Sequence, residues 1–190
     1  MRSLVVIENI TLDGRIEMLD NWFDPRGPSD PEAFAELAED EREVQEKFDA
    51  VLLGRRTYQD FEGYWPKLTE DPTGVTDYLN RTQKYVLSST LTDPQWENTT
   101  VLRGPLDEEV AALKDLAGKD ISLTGSVSVA TALVGSGLVD EYRLMIYPYV
   151  QGRGRRLFDD GAPAGMEVVD VRHFRSGVVR MRFRPTSARG

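Results

Sequence analysis

Short apolar runs alternate along the chain with longer segments in which apolar residues recur every three or four positions. The runs are rich in Val, Ile, Leu and Tyr, which favour strands, whereas the longer segments have the period of helices. This alternation predicts an α/β fold, a sheet covered by helices, rather than a helical bundle or a β-sandwich. The predicted strands are LVVIEN (4–9), AVLLG (50–54), KYVLS (84–88), ISLTG (121–125) and EYRLMIYP (141–148).

Residues 31–48 carry the strongest helical signal. Asp30 can cap the first helical turn, and Pro31 suits the first position because its missing N–H would have no partner there. An apolar stripe then recurs at helical spacing. It consists of Phe34, Leu37, Ala38, Val44 and Phe48.

Two further helices are predicted, over residues 107–117 and about 126–135. The first opens with three acidic residues and ends before a glycine, as the helix dipole and the C-cap favour. Near the C-terminus, residues 167–185 alternate in character around Ser-Gly and predict an antiparallel β-hairpin. Residues 18–30 and 62–77 contain aromatic side chains among polar ones and are predicted loops.

Composition restricts the possible functions. The 190 residues suffice for one domain, and 23 basic against 32 acidic residues give a formal net charge of -9, which disfavours binding to nucleic acid or anionic membranes. There is no cysteine and only one histidine, so thiol chemistry and Cys/His metal sites are excluded and no metal is expected. No apolar run is long enough for a membrane span and no signal peptide is evident, so we expect a cytoplasmic protein.

Three predicted strands end in residues that suit phosphate binding. Arg55, Arg56 and Thr57 follow the glycine of AVLLG, where a helical turn begins and backbone N–H groups point outward. KYVLS is followed by further hydroxyls, and ISLTG ends at Gly125-Ser126 before a helix. Because ligands of open α/β sheets bind at strand carboxyl ends, the three ends together indicate an anion site. The alternative is that the two arginines pair with nearby surface acids.

Two familiar nucleotide-binding motifs are absent from the sequence. No G-x-x-x-x-G-K-[ST] segment occurs, which disfavours a Walker-type NTPase. The fragments GSG (135–137) and GRG (152–154) do not open a helix after a strand and are not a Rossmann fingerprint.

In their order and spacing, several motifs resemble those of the dihydrofolate reductase-like superfamily. They are TLDGRIE, VLLGRRTYQDF, KYVLSSTL and LTGSVSVATALVGSGLVDEYRLMIYPYVQGRGRRLF. The resemblance is closest to the reductase domain of the bifunctional riboflavin-biosynthesis deaminase-reductase and covers residues 3–184. It implies a single reductase domain over residues 1–185, with a mixed, mostly parallel sheet and NADPH lying across the strand ends. Residues 186–190 are expected to form a disordered tail, and a homodimer is left open because related reductases are commonly dimers.

The resemblance also implies site residues. Arg55, Ser88 and Ser89 would surround the adenosine 2′-phosphate of NADPH, and the Gly125 turn would meet the pyrophosphate. The full set expected to bind the cofactor is Gly54, Arg55, Arg56, Thr57, Leu87, Ser88, Ser89, Gly125, Ser126 and Val127. The residues expected near the substrate are Gly14, Trp22, Tyr58 and Phe61. Asp13 is the candidate proton donor, with a simple turn residue as the alternative.

Two departures from true dihydrofolate reductases are visible. Gly125-Ser126 stands where those enzymes have Gly-Gly, often joined by a cis peptide bond. Their folate-binding carboxylate would fall near residues 38–40, but Glu39 and Asp40 are expected to face solvent on the capped helix. We therefore expect an NADPH-dependent reductase that acts on a C=N or C=O group of a small heterocyclic or sugar-derived substrate. Dihydrofolate reduction and a non-catalytic NADPH-binding sensor are the alternatives.

Overall fold

A computed structural model describes residues 1–25, 27–158 and 165–186. Its strands are β1 (Leu4–Thr11), β2 (Phe48–Gly54), β3 (Gln83–Leu87), β4 (Thr99–Leu102), β5 (Asp120–Thr124), β6 (Glu141–Tyr147), β7 (Gly165–His173) and β8 (Val179–Thr186). Its α-helices are α1 (Pro31–Lys47), α2 (Arg55–Tyr64), α3 (Val75–Arg81), α4 (Leu106–Asp115) and α5 (Val127–Leu133), and a short 3-10 helix spans Trp65–Lys67.

The eight strands form one sheet in the order β4-β3-β2-β5-β1-β6-β8-β7. The pairings from β4 through to β6 are all parallel, whereas β8 pairs antiparallel with both β6 and β7. The predicted α/β class, the mostly parallel sheet and the antiparallel C-terminal hairpin are therefore confirmed.

Strands β1 and β5 lie side by side and lead to helices on opposite faces of the sheet. The crevice outside their carboxyl ends is therefore a topological switch point, the place where α/β folds of this kind bind ligands.

Two apolar clusters cover the faces of the sheet. One packs β1, β5 and β6 against α4 and α5, and it contains Leu4, Val6, Ile10, Leu123, Ala130, Leu133 and Leu144 among others. The other packs β2 and β3 against α1, α2 and α3, and it contains Val44, Val51, Leu53, Tyr58, Leu79 and Trp96 among others. The central strands are buried on both faces, as the continuous apolar runs of the sequence require.

Helix α1 has the predicted cap, since Asp30 accepts a hydrogen bond from the backbone N–H two residues later. The expectation that Asp40 faces solvent is wrong. Asp40 is only 4% exposed, and its carboxylate accepts hydrogen bonds from Arg143 at 2.9 Å and from Arg180, with Arg172 at 3.5 Å. A carboxylate can be buried when cations surround it, and these cations come from β6, β7 and β8, far away in sequence.

Several elements differ from the prediction. Strand β4 was not predicted, because TTVL is short, partly exposed and half threonine. The segment 62–77, predicted as a loop, contains the end of α2, the 3-10 helix and the start of α3. The helix predicted over 107–117 is observed over Leu106–Asp115, and the one over about 126–135 is Val127–Leu133.

The C-terminal boundary also shifts. Strand β8 continues through Thr186, the first residue of the predicted tail, and residues 187–190 of that tail lie outside the described residues.

Candidate cofactor and substrate site

Four neighbouring strands end at the same edge of the sheet. Since β4, β3, β2 and β5 are parallel, their carboxyl ends open side by side. Strand β2 leads directly into α2 at Arg55, and β5 leads into α5 through Gly125-Ser126. The three strand ends singled out in the sequence are therefore adjacent in space.

A cavity of about 540 Å³ lies at these strand ends. Its lining consists of Arg55, Leu87, Ser88, Ser89, Thr90, Leu102, Arg103, Gly104, Leu106, Ser128 and Val129. Four of the predicted cofactor-binding residues thus share one cavity: Arg55, Leu87, Ser88 and Ser89. The other six, Gly54, Arg56, Thr57, Gly125, Ser126 and Val127, do not line it.

Arg103 is the charged residue among the cavity-lining residues that are not predicted from the sequence. Its guanidinium donates hydrogen bonds to the backbone carbonyls of Ser89 at 3.1 Å and Leu91 at 2.7 Å, and it approaches that of Ser88 at 3.4 Å. Arg103 thereby fixes the loop that presents the two serines. A signal was available, because VLRG at 101–104 repeats the apolar-strand-then-arginine pattern of LLGRR.

Arg55 and Arg56 occupy the first turn of α2, and both are exposed. The single side-chain hydrogen bond of Arg55 goes to Gln59, at 3.4 Å. Within the described part of the chain, neither arginine is ion-paired to a carboxylate, so the surface-pair alternative has no support. Their charges remain available to an anion at the helix N-terminus.

Hydroxyl groups tie the start of α2 to the start of α5. The backbone N–H of Ser126 donates to Thr57 Oγ1 at 2.8 Å, and the backbone N–H of Gly54 donates to Ser126 Oγ at 2.8 Å. Gly125 (φ +64°) and Ser126 (φ +30°) both adopt left-handed backbone conformations, and the described peptide bonds are all trans. A Cβ atom on Gly125 would lie 2.9 Å from Thr57 Cγ2, so a glycine is required there.

Asp13 lies in a tight turn after β1, and its carboxylate is saturated. It accepts hydrogen bonds from Thr11 Oγ1 at 2.7 Å, from the backbone N–H groups of Gln151 at 3.1 Å and Gly152 at 2.9 Å, and from Arg15 at 3.4 Å. These donors hold the pKa of Asp13 well below its usual value of 3.8. Asp13 is therefore ionised at neutral pH, which favours the structural alternative over a proton donor.

An aromatic cluster lies beside this turn, at the carboxyl end of β6. The Trp22 and Phe23 rings pack edge-on against Tyr147, with centroids 5.2 and 5.9 Å away. Trp22 Nε1 donates to Gln151 Oε1 at 2.8 Å, which links the cluster to the segment that holds Asp13. Gly14 (φ +80°) completes the turn. Hydrogen bonds through Gln151 thus link Trp22 to the turn that contains Gly14.

The other two predicted substrate residues belong to the core around α2. Tyr58 is fully buried, and its hydroxyl donates to Glu62 Oε1 at 2.8 Å. Phe61 packs edge-on against Trp65. Neither lines the 540 Å³ cavity. Burial and an occupied hydroxyl argue that Tyr58 supports the fold rather than contacting a substrate.

A second cavity, about 620 Å³, lies away from the strand ends, between α2, α3 and the segment before β4. Its polar groups bind one another, since Glu62 Oε1 also accepts from the backbone N–H groups of Gln95 and Trp96. We assign no ligand to it. Across the described residues, no cluster of potential metal ligands occurs, and no helix is long and apolar enough to cross a membrane.

Comparison with known sequences identifies relatives. The family model described as the RibD C-terminal domain matches residues 2–180. The uncharacterised protein YyaP of Bacillus subtilis is 36% identical over 140 residues, which are 71% of this chain and 73% of YyaP.

Solved structures share the fold at low sequence identity. A Shewanella sp. PV-4 protein provisionally assigned to riboflavin biosynthesis is 18% identical, with a TM-score of 0.71 over 97% of this chain and 99% of its own. The diaminohydroxyphosphoribosylaminopyrimidine deaminase/5-amino-6-(5-phosphoribosylamino)uracil reductase of Thermotoga maritima is 17% identical, with a TM-score of 0.65 over 97% of this chain and 57% of its own. The motif order, the sheet topology and the match over almost the whole sequence agree: the chain belongs to the RibD C-terminal domain family.

Proposed function

We propose that the chain is an NADPH-dependent reductase. The observation that carries the proposal is the cavity at the strand ends, where two arginines and two serines converge in an acidic protein. A phosphate monoester fits this lining, because guanidinium groups and hydroxyls donate several hydrogen bonds to phosphate oxygens. Arg55, Ser88, Ser89 and Arg103 would hold the 2′-phosphate, which distinguishes NADPH from NADH.

The neighbouring turn suits the rest of a dinucleotide. Gly125 lets the backbone come close to a ligand without a side chain, and α2 directs its N-terminal N–H groups toward the same edge. Gly54, Thr57 and Ser126 would keep the two helix starts in register beneath the phosphates. When bound, the cofactor would supply the hydride, and the chain would bind, orient and shield the reactants from water.

The substrate side is proposed to lie by the Asp13 turn and the aromatic cluster. Flat rings such as those of Trp22 and Phe23 offer a stacking surface to a heterocycle. Membership of the RibD C-terminal domain family and the fold shared with the T. maritima deaminase/reductase support the proposal of a small heterocyclic or sugar-derived substrate. Such a substrate would carry a reducible C=N or C=O group. With Asp13 ionised, the proton would come from water or from another acid.

Dihydrofolate reduction is less well supported. The carboxylate that would serve a pteridine ring by sequence position, Asp40, is already bound by three arginines in the core. A non-catalytic NADPH sensor remains the second candidate, because the cavity argues for cofactor binding and not for turnover.

Two measurements separate these functions. The first is the melting temperature with saturating NADPH, which a native-state ligand raises by mass action. The second is NADPH oxidation with a pyrimidine or a pteridine substrate. We expect a shift, and turnover of the pyrimidine. The absence of a shift would refute the cofactor site, whereas a shift without turnover of either substrate would favour the sensor. Cytoplasmic location and a homodimer remain predictions, the latter testable by light scattering.

A further inference from the structure

Glu8 is a carboxyl group buried in the middle of the sheet. It lies on β1 between Val6 and Ile10, on the face that packs against α5, and it pairs in register with Leu144 of β6. Its exposed fraction is 2%. An ionised carboxylate in an apolar cluster is costly unless a cation or hydrogen-bond donors compensate its charge, and without them the group takes up a proton.

The contacts of Glu8 point to the turn between β5 and α5. Its carboxyl group meets the backbone N–H of Gly125, while Oε1 has no hydrogen-bond partner among the described residues. Burial raises the pKa of Glu8 well above its usual value of 4.5, and the Gly125 N–H only partly opposes this. Glu8 is therefore protonated well above the pH at which an exposed glutamate would lose its proton.

The charged groups nearby do not neutralise an ionised Glu8. Helix α5 has no ionisable residue, and on β6 the phenol of Tyr142 has a pKa raised to about 12. In the segment after β6, Arg155 is paired with Glu17 and donates to Ser128 Oγ. Asp13 is held by its own donors, described above. Within the described residues, no cation contacts Glu8, so loss of its proton would leave an uncompensated negative charge.

That charge would lie beside the backbone N–H of Gly125, in the turn between β5 and α5. We propose that Glu8 is a positioning residue of the dinucleotide-binding turn: in its protonated form, Glu8 holds Gly125. Dinucleotide binding is thereby coupled to the proton on Glu8. The proposal rests on the proposed function. Protonated, Glu8 leaves the turn free to receive an anion. Ionised, it repels the phosphates, so dinucleotide affinity falls as the pH rises through the pKa of Glu8.

The test is the dissociation constant of NADPH, measured by calorimetry from about pH 5 to about pH 10, in wild type, Glu8→Gln and Glu46→Gln. The Gln variant keeps the shape and a hydrogen-bond acceptor but cannot ionise. Glu46 is an exposed glutamate near the C-terminal end of α1 and serves as the matched control. Wild type and Glu46→Gln should lose affinity by up to about tenfold per pH unit above the pKa of Glu8, the limit for one linked proton. Glu8→Gln should lose much less.

Other groups that titrate in this range, such as Lys84, whose pKa is lowered to about 8 by burial, are present in both wild type and Glu8→Gln. Their effect on the dissociation constant therefore cancels when the two proteins are compared. Equal pH dependence in wild type and Glu8→Gln would overturn the coupling while leaving the reductase proposal intact. Failure of wild type to bind NADPH at any pH would instead refute the proposed function, and the coupling with it.

A measurement without cofactor tests the protonation itself. Because the pKa of Glu8 is raised in the folded state, its contribution to stability is complete below the unfolded value of 4.5 and is lost as the pH rises through the folded value. The free energy of unfolding of wild type should therefore fall relative to that of Glu8→Gln over this range. A constant difference between them would show that Glu8 does not take up a proton on folding, and would overturn the coupling.

Discussion

Replacing Arg55 with alanine tests the assignment of the cavity. Arg55 is exposed at the start of α2, lines the cavity, and makes one weak side-chain contact, to Gln59 at 3.4 Å. Its guanidinium is thus uncommitted within the described structure. The substitution should change the free energy of unfolding by no more than about 0.5 kcal/mol, as is usual for a surface residue.

The effect on binding should be large and selective. A charge-assisted hydrogen bond contributes about 1.5–3 kcal/mol, which corresponds to roughly tenfold to 150-fold in affinity. NADH lacks the 2′-phosphate, so its dissociation constant should change by no more than about twofold on the same reasoning. Arg55→Ala should therefore remove most of the preference for NADPH over NADH.

Calorimetric titration of both dinucleotides into wild type, Arg55→Ala and Arg42→Ala measures this preference. Arg42 is exposed on α1, so its removal makes the same change in net charge without touching the cavity. If Arg42→Ala weakens NADPH as much as Arg55→Ala does, the effect is one of overall charge. If Arg55→Ala weakens NADPH and NADH equally, Arg55 does not contact the 2′-phosphate and the reasoning fails.

Three other substitutions should have distinct effects. In the same titrations, Arg103→Ala should weaken NADPH at least as much as Arg55→Ala does and hardly change NADH, because it removes a charge from the 2′-phosphate site and also frees the loop that carries Ser88 and Ser89; an unchanged affinity for NADPH would contradict this. Asp40→Asn should lower the free energy of unfolding in urea by about 3–5 kcal/mol, because it leaves the buried guanidinium of Arg143 without its carboxylate partner; a loss below about 1 kcal/mol would be too small for that role. Asp13→Asn should destabilise the protein at neutral pH but hardly at acid pH. The carboxylate of Asp13 has a lowered pKa, so its contribution is present above the unfolded value of 3.8 and is lost as the pH falls below it. A melting temperature equal to that of wild type at neutral pH would contradict it.

The sheet and the strand ends could be predicted because they depend on local patterns. Buried parallel strands are continuous apolar runs, and the residues that follow them come next in the sequence. Arg55, Ser88 and Ser89 are predicted to bind the cofactor partly on this pattern, and the structure brings them to one cavity. Strand β4 is not predicted because only its last two residues, Val101 and Leu102, are apolar, and this two-residue run is the whole sequence signal for Arg103, which follows it.

Other features depend on contacts between distant segments. Asp40 has the sequence context of an exposed helical acid. Its burial is possible because Arg143 and Arg180, from distant strands, form ion pairs with it. The sequence around Asp13 predicts a proton donor or a turn residue. The backbone N–H groups of Gln151 and Gly152, over 130 residues away, stabilise its ionised form and so disfavour the proton donor. Glu8 interrupts an apolar strand, which is a visible anomaly, but its contact with Gly125 follows from the neighbouring positions of β1 and β5.

If the cavity at the ends of β2, β3 and β4 binds the 2′-phosphate of a dinucleotide, the protein must distinguish NADPH from NADH. Calorimetric titration of the wild-type protein with NADPH and with NADH tests it most directly. NADPH should bind at least about tenfold more tightly than NADH, as one charge-assisted phosphate contact requires. Equal affinities, or no binding of either dinucleotide, would contradict it.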